Sequence, residues 1–258
     1  MIKAKKQFGQ NFLKDENVLR MIVEAMPKND NKIVEIGPGL GDLTEKLVKY
    51  KEVRAYEVDR DLYSILKVKF FEELSSTKLE IILTDVLEIW KDKGSLYDDR
   101  KYDLIANLPY YIATNILLNA FDDDNCEHII VMVQKEVGDK FIATAGQKEY
   151  SSLGVISQLL CERRYEVVMV PPESFEPAPK VDSSVIYLKK NMNESITVEF
   201  KNFLKVAFSQ PRKKLIKNLS ARYDKVSLVN LFEKCAINQN IRPHELDASL
   251  YSEIYQSL

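Results

Sequence analysis

The sequence predicts an α/β fold: a doubly wound sheet of roughly seven strands followed by a small all-helical domain. Three observations carry this. Lys32 to Ile36 is an apolar run that leads into Gly37-Pro38-Gly39-Leu40-Gly41, and Leu40, Leu43, Leu47 and Val48 then recur at helical spacing. Strand, glycine-rich turn and helix is the opening unit of such a sheet. Short apolar runs then alternate with amphipathic stretches as far as Leu188. After Lys189-Lys190-Asn191-Met192-Asn193-Glu194 the period-two signal stops and only helical spacing remains. The boundary is therefore expected near residue 190, with one domain over 1–190 and a second over 191–258.

The elements follow in order. Residues 7 to 13 are too polar and glycine-punctuated for a regular element and read as an ordered loop anchored by Phe8, Phe12 and Leu13. Asp15 is placed to cap a helix reaching about Met26. Val53 to Val58 is the second strand, Leu79 to Leu83 the third, Tyr102 to Ala106 the fourth, and His128 to Val133 the fifth. Stretches 137–144 and 150–161 read as helices, Tyr165 to Val170 as the sixth strand and Val185 to Leu188 as the seventh. The proline-rich segment Pro171 to Lys180 is stiff and is expected to hold Phe175 exposed. Beyond residue 194, Phe200, Phe203, Leu204, Ala207 and Phe208 mark a helix, and Pro211 suits the first turn of another running Arg212 to Lys217.

Several polar residues fall at the carboxyl ends of these strands, where open α/β sheets bind ligands. Gly37 follows the first strand, and its glycines let backbone approach a ligand closely. Glu57 ends the second strand twenty residues after Gly37, the offset at which an acid grips ribose hydroxyls. Asp85 follows the third strand and is placed to accept from an adenine amino group. Asn107-Leu108-Pro109-Tyr110 follows the fourth. Proline fixes its own φ and restricts the residue before it, Asn107 supplies an amide donor and acceptor, and Tyr110 supplies a flat face. Such a turn suits a clamp on the exocyclic amino group of a planar ring. Taken alone, the four residues fit a strand-ending turn with a packed tyrosine equally well.

Composition excludes other classes. The chain has 258 residues, 45% apolar and 29% charged, as expected of a globular protein with a real core. No stretch approaches the ~20 apolar residues of a membrane span, and no apolar segment follows the N-terminal charges as in a secretory signal, so the cytoplasm is expected. Three scattered cysteines and two histidines argue against a zinc site, a disulfide framework or a hydrolytic triad; no metal is expected, and His128 reads as structural. Net charge is −2, but Lys3, Lys5, Lys6 and Lys14 precede the first acid, and Lys201 to Lys225 holds eight basic residues and one acidic. These segments carry +4 and +7, so the rest carries −13. Two basic patches on an acidic chain are a footprint of phosphate binding, and they are equally what solvated helix faces and a loose tail would give.

Together these motifs resemble the small-subunit ribosomal RNA adenine N6,N6-dimethyltransferases of the KsgA type. The resemblance runs from Gln10-Asn11-Phe12-Leu13 through Glu35-Ile36-Gly37-Pro38-Gly39, Glu57 with Asp59-Arg60, Asp85 and Asn107-Leu108-Pro109-Tyr110. It continues through Val170-Pro171-Pro172 to Phe175, Pro179-Lys180-Val181-Asp182-Ser183, and Phe208-Ser209-Gln210 before Arg212-Lys213. It implies a Rossmann-like seven-stranded methyltransferase sheet, S-adenosyl-L-methionine as methyl donor, and dimethylation at N6 of two adjacent adenosines. These lie in the 3′-terminal hairpin loop of small-subunit (16S) rRNA. It also implies that Asn11 and Leu13 cover the methionine end of the cofactor, Gly37 lies beneath it, Glu57 holds the ribose, Asp85 with Val86 reads the adenine, and Asn107 contacts the cofactor as well as the base.

On this reading the Asn107 side-chain oxygen and the Leu108 carbonyl accept both N6 hydrogens, Pro109 holds the turn, Tyr110 stacks on one face of the base and Phe175 covers the other. RNA is expected at Lys5, Lys6, Arg212, Lys213, Lys214 and Lys217. The expected partner is small-subunit rRNA in the immature 30S particle, with the protein a monomer that meets no membrane. Two other activities share parts of the pattern: a large-subunit rRNA adenine N6-methyltransferase of the macrolide-resistance type, and a non-catalytic ribosome assembly factor. One departure stands out. Pro211 precedes Arg212 where family members often carry consecutive arginines.

Overall fold

Why seven apolar segments form one sheet follows from where their side chains end up. The computed structural model describes residues 10–97 and 100–258 and resolves two compact units: residues 1–138 with 165–192, and residues 139–164 with 193–258.

In the first unit the chain opens with β1 (Phe12–Leu13) and α1 (Glu16–Glu24), followed by β2 (Lys32–Ile36), α2 (Asp42–Leu47), β3 (Val53–Glu57) and α3 (Arg60–Lys69). Then come α4 (Phe71–Ser75), β4 (Leu79–Leu83), α5 (Val86–Lys93), β5 (Tyr102–Asn107), α6 (Ala113–Asp122), β6 (Cys126–Gln134) and α7 (Lys135–Ile142), whose last four residues belong to the second unit. After α8 (Ser152–Leu160) of the second unit, the sheet resumes with β7 (Cys161–Val170), β8 (Phe175–Glu176) and β9 (Ser183–Lys190). The main sheet has seven strands in the order β4-β3-β2-β5-β6-β9-β7. The strands from β4 through β6 are parallel, and β9 runs antiparallel to β6. Ile33, Val34, Leu104, Ile105, Ile130 and Val131 are fully buried. A parallel strand covered on both faces must be apolar on both, which is why these segments read as continuous apolar runs.

Helix starts explain the sharp sequence boundaries. Asp15, Asp59 and Asp85 each sit in extended backbone and accept from amides of the first turn of α1, α3 and α5. The caps of α3 and α5 follow β3 and β4 directly, so they lie at the carboxyl edge of the sheet. The opposite edge is pinned by buried acids. Asp103 accepts from Asn31 at 2.9 Å and pairs with Lys51 at 3.2 Å. Asp123 takes the Trp90 indole at 2.9 Å and the Tyr102 hydroxyl at 2.6 Å. His128 is structural: it is buried, with Nδ1 2.8 Å from the Tyr187 hydroxyl.

The second unit contains α8 and the C-terminal helices α9 (Val198–Ala207), α10 (Leu215–Leu219), α11 (Lys225–Lys234) and α12 (Ala248–Gln256). Phe203 meets Tyr223, Tyr251 and Tyr255 in edge-on and tilted ring contacts. The Tyr251 hydroxyl donates to the Pro243 carbonyl at 2.7 Å, so a buried polar group is satisfied.

Three expectations change. Phe12 and Leu13 form a strand rather than a loop, because β1 pairs antiparallel with β8. Pro211 does not open a helix. The Lys213 amide donates to Gln210 at 2.9 Å, closing a β-turn with proline at its second position, and α10 starts only after Lys214. Phe175 is not exposed; it is 5% accessible. Its pairing with Leu13 turns the ring into a core cluster that also holds Leu19, Ile22 and Val170.

Candidate active site

At the carboxyl edge the predicted residues meet around one cleft. Its lining includes Asn11, Leu13, Gly37, Glu57, Asp85, Val86, Asn107, Leu108, Pro109 and Tyr110.

The floor is the turn after β2. Gly37 and Gly41 have φ of +68° and +81°, a conformation L side chains rarely adopt. At Gly41 a Cβ would also strike the Phe70 ring at 2.5 Å. A Cβ on Gly37 would stand 3.8 Å from the Pro109 ring, so the glycine turn and the clamp turn are neighbours. The bare backbone here forms a cradle that any side chain would partly fill.

Glu57 is 4% accessible. One carboxylate oxygen accepts from the amides of Val58 and Asp59, both at 2.9 Å, and the other from the Gly39 amide at 3.3 Å. Burial pushes its pKa up while the amides of Asp59, Gly39 and Val58 pull it down. The result is an acceptor fixed in orientation beside the glycine turn. Asp85 is exposed, and its Oδ1 accepts from the Leu87 amide at 2.9 Å. Val86 beside it is buried and apolar.

The N-terminal strap closes one side. Gln10 donates to Asp59 at 3.0 Å, Lys14 pairs with Asp42 at 2.7 Å, and the Lys14 amide donates to Ser174 at 2.8 Å. Asn107 joins the strap too: its Nδ2 donates to the Asn11 backbone carbonyl at 3.1 Å. A carbonyl can only accept, so it sets the amide's rotamer. The Asn107 oxygen makes no hydrogen bond among the described residues and remains an acceptor. Leu108 is anchored by its own amide, which donates to Met132 at 3.0 Å. The Tyr110 ring is partly buried, with its hydroxyl 2.6 Å from Ser183 Oγ.

Of the remaining predicted residues, Phe175 does not line the cleft and adjoins it through Leu13, its strand partner and neighbour in the core cluster. Lys5 and Lys6 lie outside the described residues. Arg212, Lys213, Lys214 and Lys217 are all exposed in the second unit. There Lys214 and Lys217 share a groove with Lys225, Ser220, Gln239 and Asn240. Among the described residues no group of three or more His, Cys, Asp or Glu side chains is placed to hold a metal, and no helix is long and apolar enough to cross a membrane.

Sequence reasoning missed Gln10 as a strap contact, Glu35 beneath the glycine turn, and Tyr111, which is 60% exposed on the cleft rim. Tyr111 had a legible signal, as a second aromatic directly after Tyr110. Gln10 and Glu35 are polar residues whose place depends on tertiary packing.

A family model described as ribosomal RNA adenine dimethylase matches residues 1–258. A curated relative from Aliarcobacter butzleri, named ribosomal RNA small subunit methyltransferase A, is 57% identical over 254 residues, covering 98% of this chain and 96% of its own. A protein of the same name from Sulfurimonas denitrificans is 52% identical over 255 residues, with 99% and 94% covered. Among solved structures, a dimethyladenosine transferase from Plasmodium falciparum aligns with a TM-score of 0.78 at 24% identity, over 95% of this chain and 98% of that one. The 23S rRNA methyltransferase ErmE aligns at 0.72 and 21% identity, over 96% and 99%. At those identities the two structures speak to the fold.

Proposed function

The chain belongs to the ribosomal RNA adenine dimethylase family and is an rRNA adenine methyltransferase; from that premise we propose that it dimethylates N6 of two adjacent adenosines in the 3′-terminal hairpin loop of small-subunit rRNA. The orientation of Asn107 carries the reading. Its amide is pinned by Asn11 so that its oxygen is presented as an acceptor at the carboxyl end of β5, beside the glycine turn.

The cleft fits S-adenosyl-L-methionine. The positive-φ glycines leave backbone accessible, Glu57 offers an oriented carboxylate to ribose hydroxyls, and exposed Asp85 with apolar Val86 suits an adenine edge and face. Asn11 and Leu13 close the end where the methionine moiety would lie. When bound, the cofactor supplies a methyl group on a sulfonium already activated for transfer.

The protein's part is orientation. The N6 lone pair is delocalised into the ring, so the amine is a weak nucleophile. Acceptors at Asn107 and the Leu108 carbonyl draw both N6 hydrogens and favour a pyramidal nitrogen. Tyr110 stacks on one face of an adenine taken out of its stack; Phe175, in its present packing, gives the other face no ring. Proximity and alignment supply most of the rate, and because the methylated nitrogen is a strong acid that gives up its extra proton to solvent, the scheme needs no strong base.

RNA docking is assigned to Arg212, Lys213, Lys214 and Lys217, with Lys225 lining the same groove as the last two. Catalysis is assigned to residues 1–190 and docking to 191–258. The substrate is the immature 30S particle in the cytoplasm, met by a monomer. Relatives at 52–57% identity that are named for the small subunit favour it over the large-subunit reading. The test is labelled methyl transfer to undermethylated small subunits, followed by nucleoside mapping. Dimethyladenosine at two adjacent positions near the 3′ end is expected. Label only in naked large-subunit rRNA overturns the substrate, and none in either overturns the activity.

A further inference from the structure

We infer that Ser183 is a positioning residue that sets the angle of the Tyr110 ring against the target base. The inference rests on the reading that Tyr110 stacks on that base.

Tyr110 lies on the turn after β5, where the Ile112 amide donates to the Pro109 carbonyl at 3.2 Å. That bond closes the backbone but leaves the ring free to rotate about its side-chain bonds. The polar contact on the ring is the one at its far end: the hydroxyl stands 2.6 Å from Ser183 Oγ. Ser183 is fully buried and opens β9, where it pairs with Gln134 of β6. In turn β6 pairs with β5 at Met132 and Asn107. The acceptor of the clamp and the tether of the ring are therefore carried by strands of one sheet, with β6 between them. Holding the ring at both ends removes its rotational freedom before the base arrives, so less ordering is left to the bound state. Burial raises the Tyr110 pKa and the Ser183 bond lowers it; at neutral pH the hydroxyl stays protonated and acts as a tether.

A serine that only supported packing would behave differently, and a double-mutant cycle separates the two. Steady-state methyl transfer to undermethylated small subunits is measured for the full chain and for Ser183→Ala, Tyr110→Phe, the double variant and Tyr110→Ala, with cofactor affinity by calorimetry and melting temperature for each. Ser183→Ala and Tyr110→Phe are each expected to lower kcat about fivefold, the rate equivalent of one ordinary hydrogen bond, with cofactor affinity unchanged. The double variant is expected to be no slower than either single one. Losses that multiply in the double variant, or wild-type kcat in Ser183→Ala, overturn the inference and leave the stacking reading intact. Full activity in Tyr110→Ala overturns the stacking reading, and this inference with it.

Discussion

Replacing Glu35 with glutamine should stabilise this protein, and more so as pH rises. Glu35 is 1% accessible, beneath the glycine turn. Burial is the main cause lifting its pKa from the ordinary 4.5 to about 8; the Thr44 hydroxyl, donating at 2.6 Å, pulls down, nearby Glu57 pushes up, and Lys69 pulls down. The sign follows from proton binding. Between pH 4.5 and 8 the native carboxyl keeps a proton that the unfolded chain has released, so stability falls as pH rises through that window. The contribution is fully present below the lower value and lost above the upper one. Over the whole window the loss is roughly 5 kcal/mol, at about 1.4 kcal/mol per pH unit. Glutamine keeps the acceptor for Thr44 and has nothing to ionise. Between about pH 5 and about pH 7.5 the wild type should lose roughly 3 kcal/mol relative to Glu35→Gln, or about 8 °C in melting temperature for a chain of this size. Paired thermal melts across that range are the assay, because the difference cancels titrations common to both proteins. A gap between the two that stays constant with pH would refute a buried, proton-retaining Glu35.

Two further perturbations test the proposed function. Asn107→Ala should reduce kcat by at least about a hundredfold and leave cofactor affinity within about a few-fold, since on the proposed reading the lost group serves mainly the base; turnover assays with calorimetry check it, and wild-type turnover would remove the clamp. Charge reversal at Arg212, Lys213 and Lys217 should weaken RNA binding and flatten its dependence on log salt by about 2, if each residue neutralises a phosphate. Binding isotherms at several salt concentrations measure this, and an unchanged slope would take those residues off the RNA.

What was legible in the sequence is what a parallel sheet imposes locally. Ile33-Val34 and Leu104-Ile105 must be apolar on both faces, and Asp59 and Asp85 must follow strands directly to cap the next helices. The site inherits that clarity, because Glu57 and Asn107 end their strands and Gly37 and Asp85 follow theirs within two residues. Contacts between distant segments were not legible. The pairing of Leu13 with Phe175 joins two two-residue strands, too short to show alternation, and it turned an expected exposed ring into core. The Tyr110–Ser183 contact spans 73 positions and leaves no pattern. Pro211 misled for a different reason: its fixed φ suits a turn's second position as well as a helix's first, and only the Lys213 to Gln210 bond decides between them.

The strap and the clamp are better understood as one device. Gln10 is tied to Asp59 beside the acid expected to hold ribose, Asn11 orients the amide expected to hold the base, and Leu13 pairs with Phe175. The strap thus touches both ends of the cleft within four residues. Without the Asn11 carbonyl, Asn107 could present its amide nitrogen as readily as its oxygen, and a donor there would repel the N6 hydrogens. On the proposed reading, the strap that borders the cofactor end also gives the clamp its polarity. The backbone carbonyl that orients the Asn107 amide therefore belongs, on that same reading, to the short segment that borders the cofactor end of the cleft.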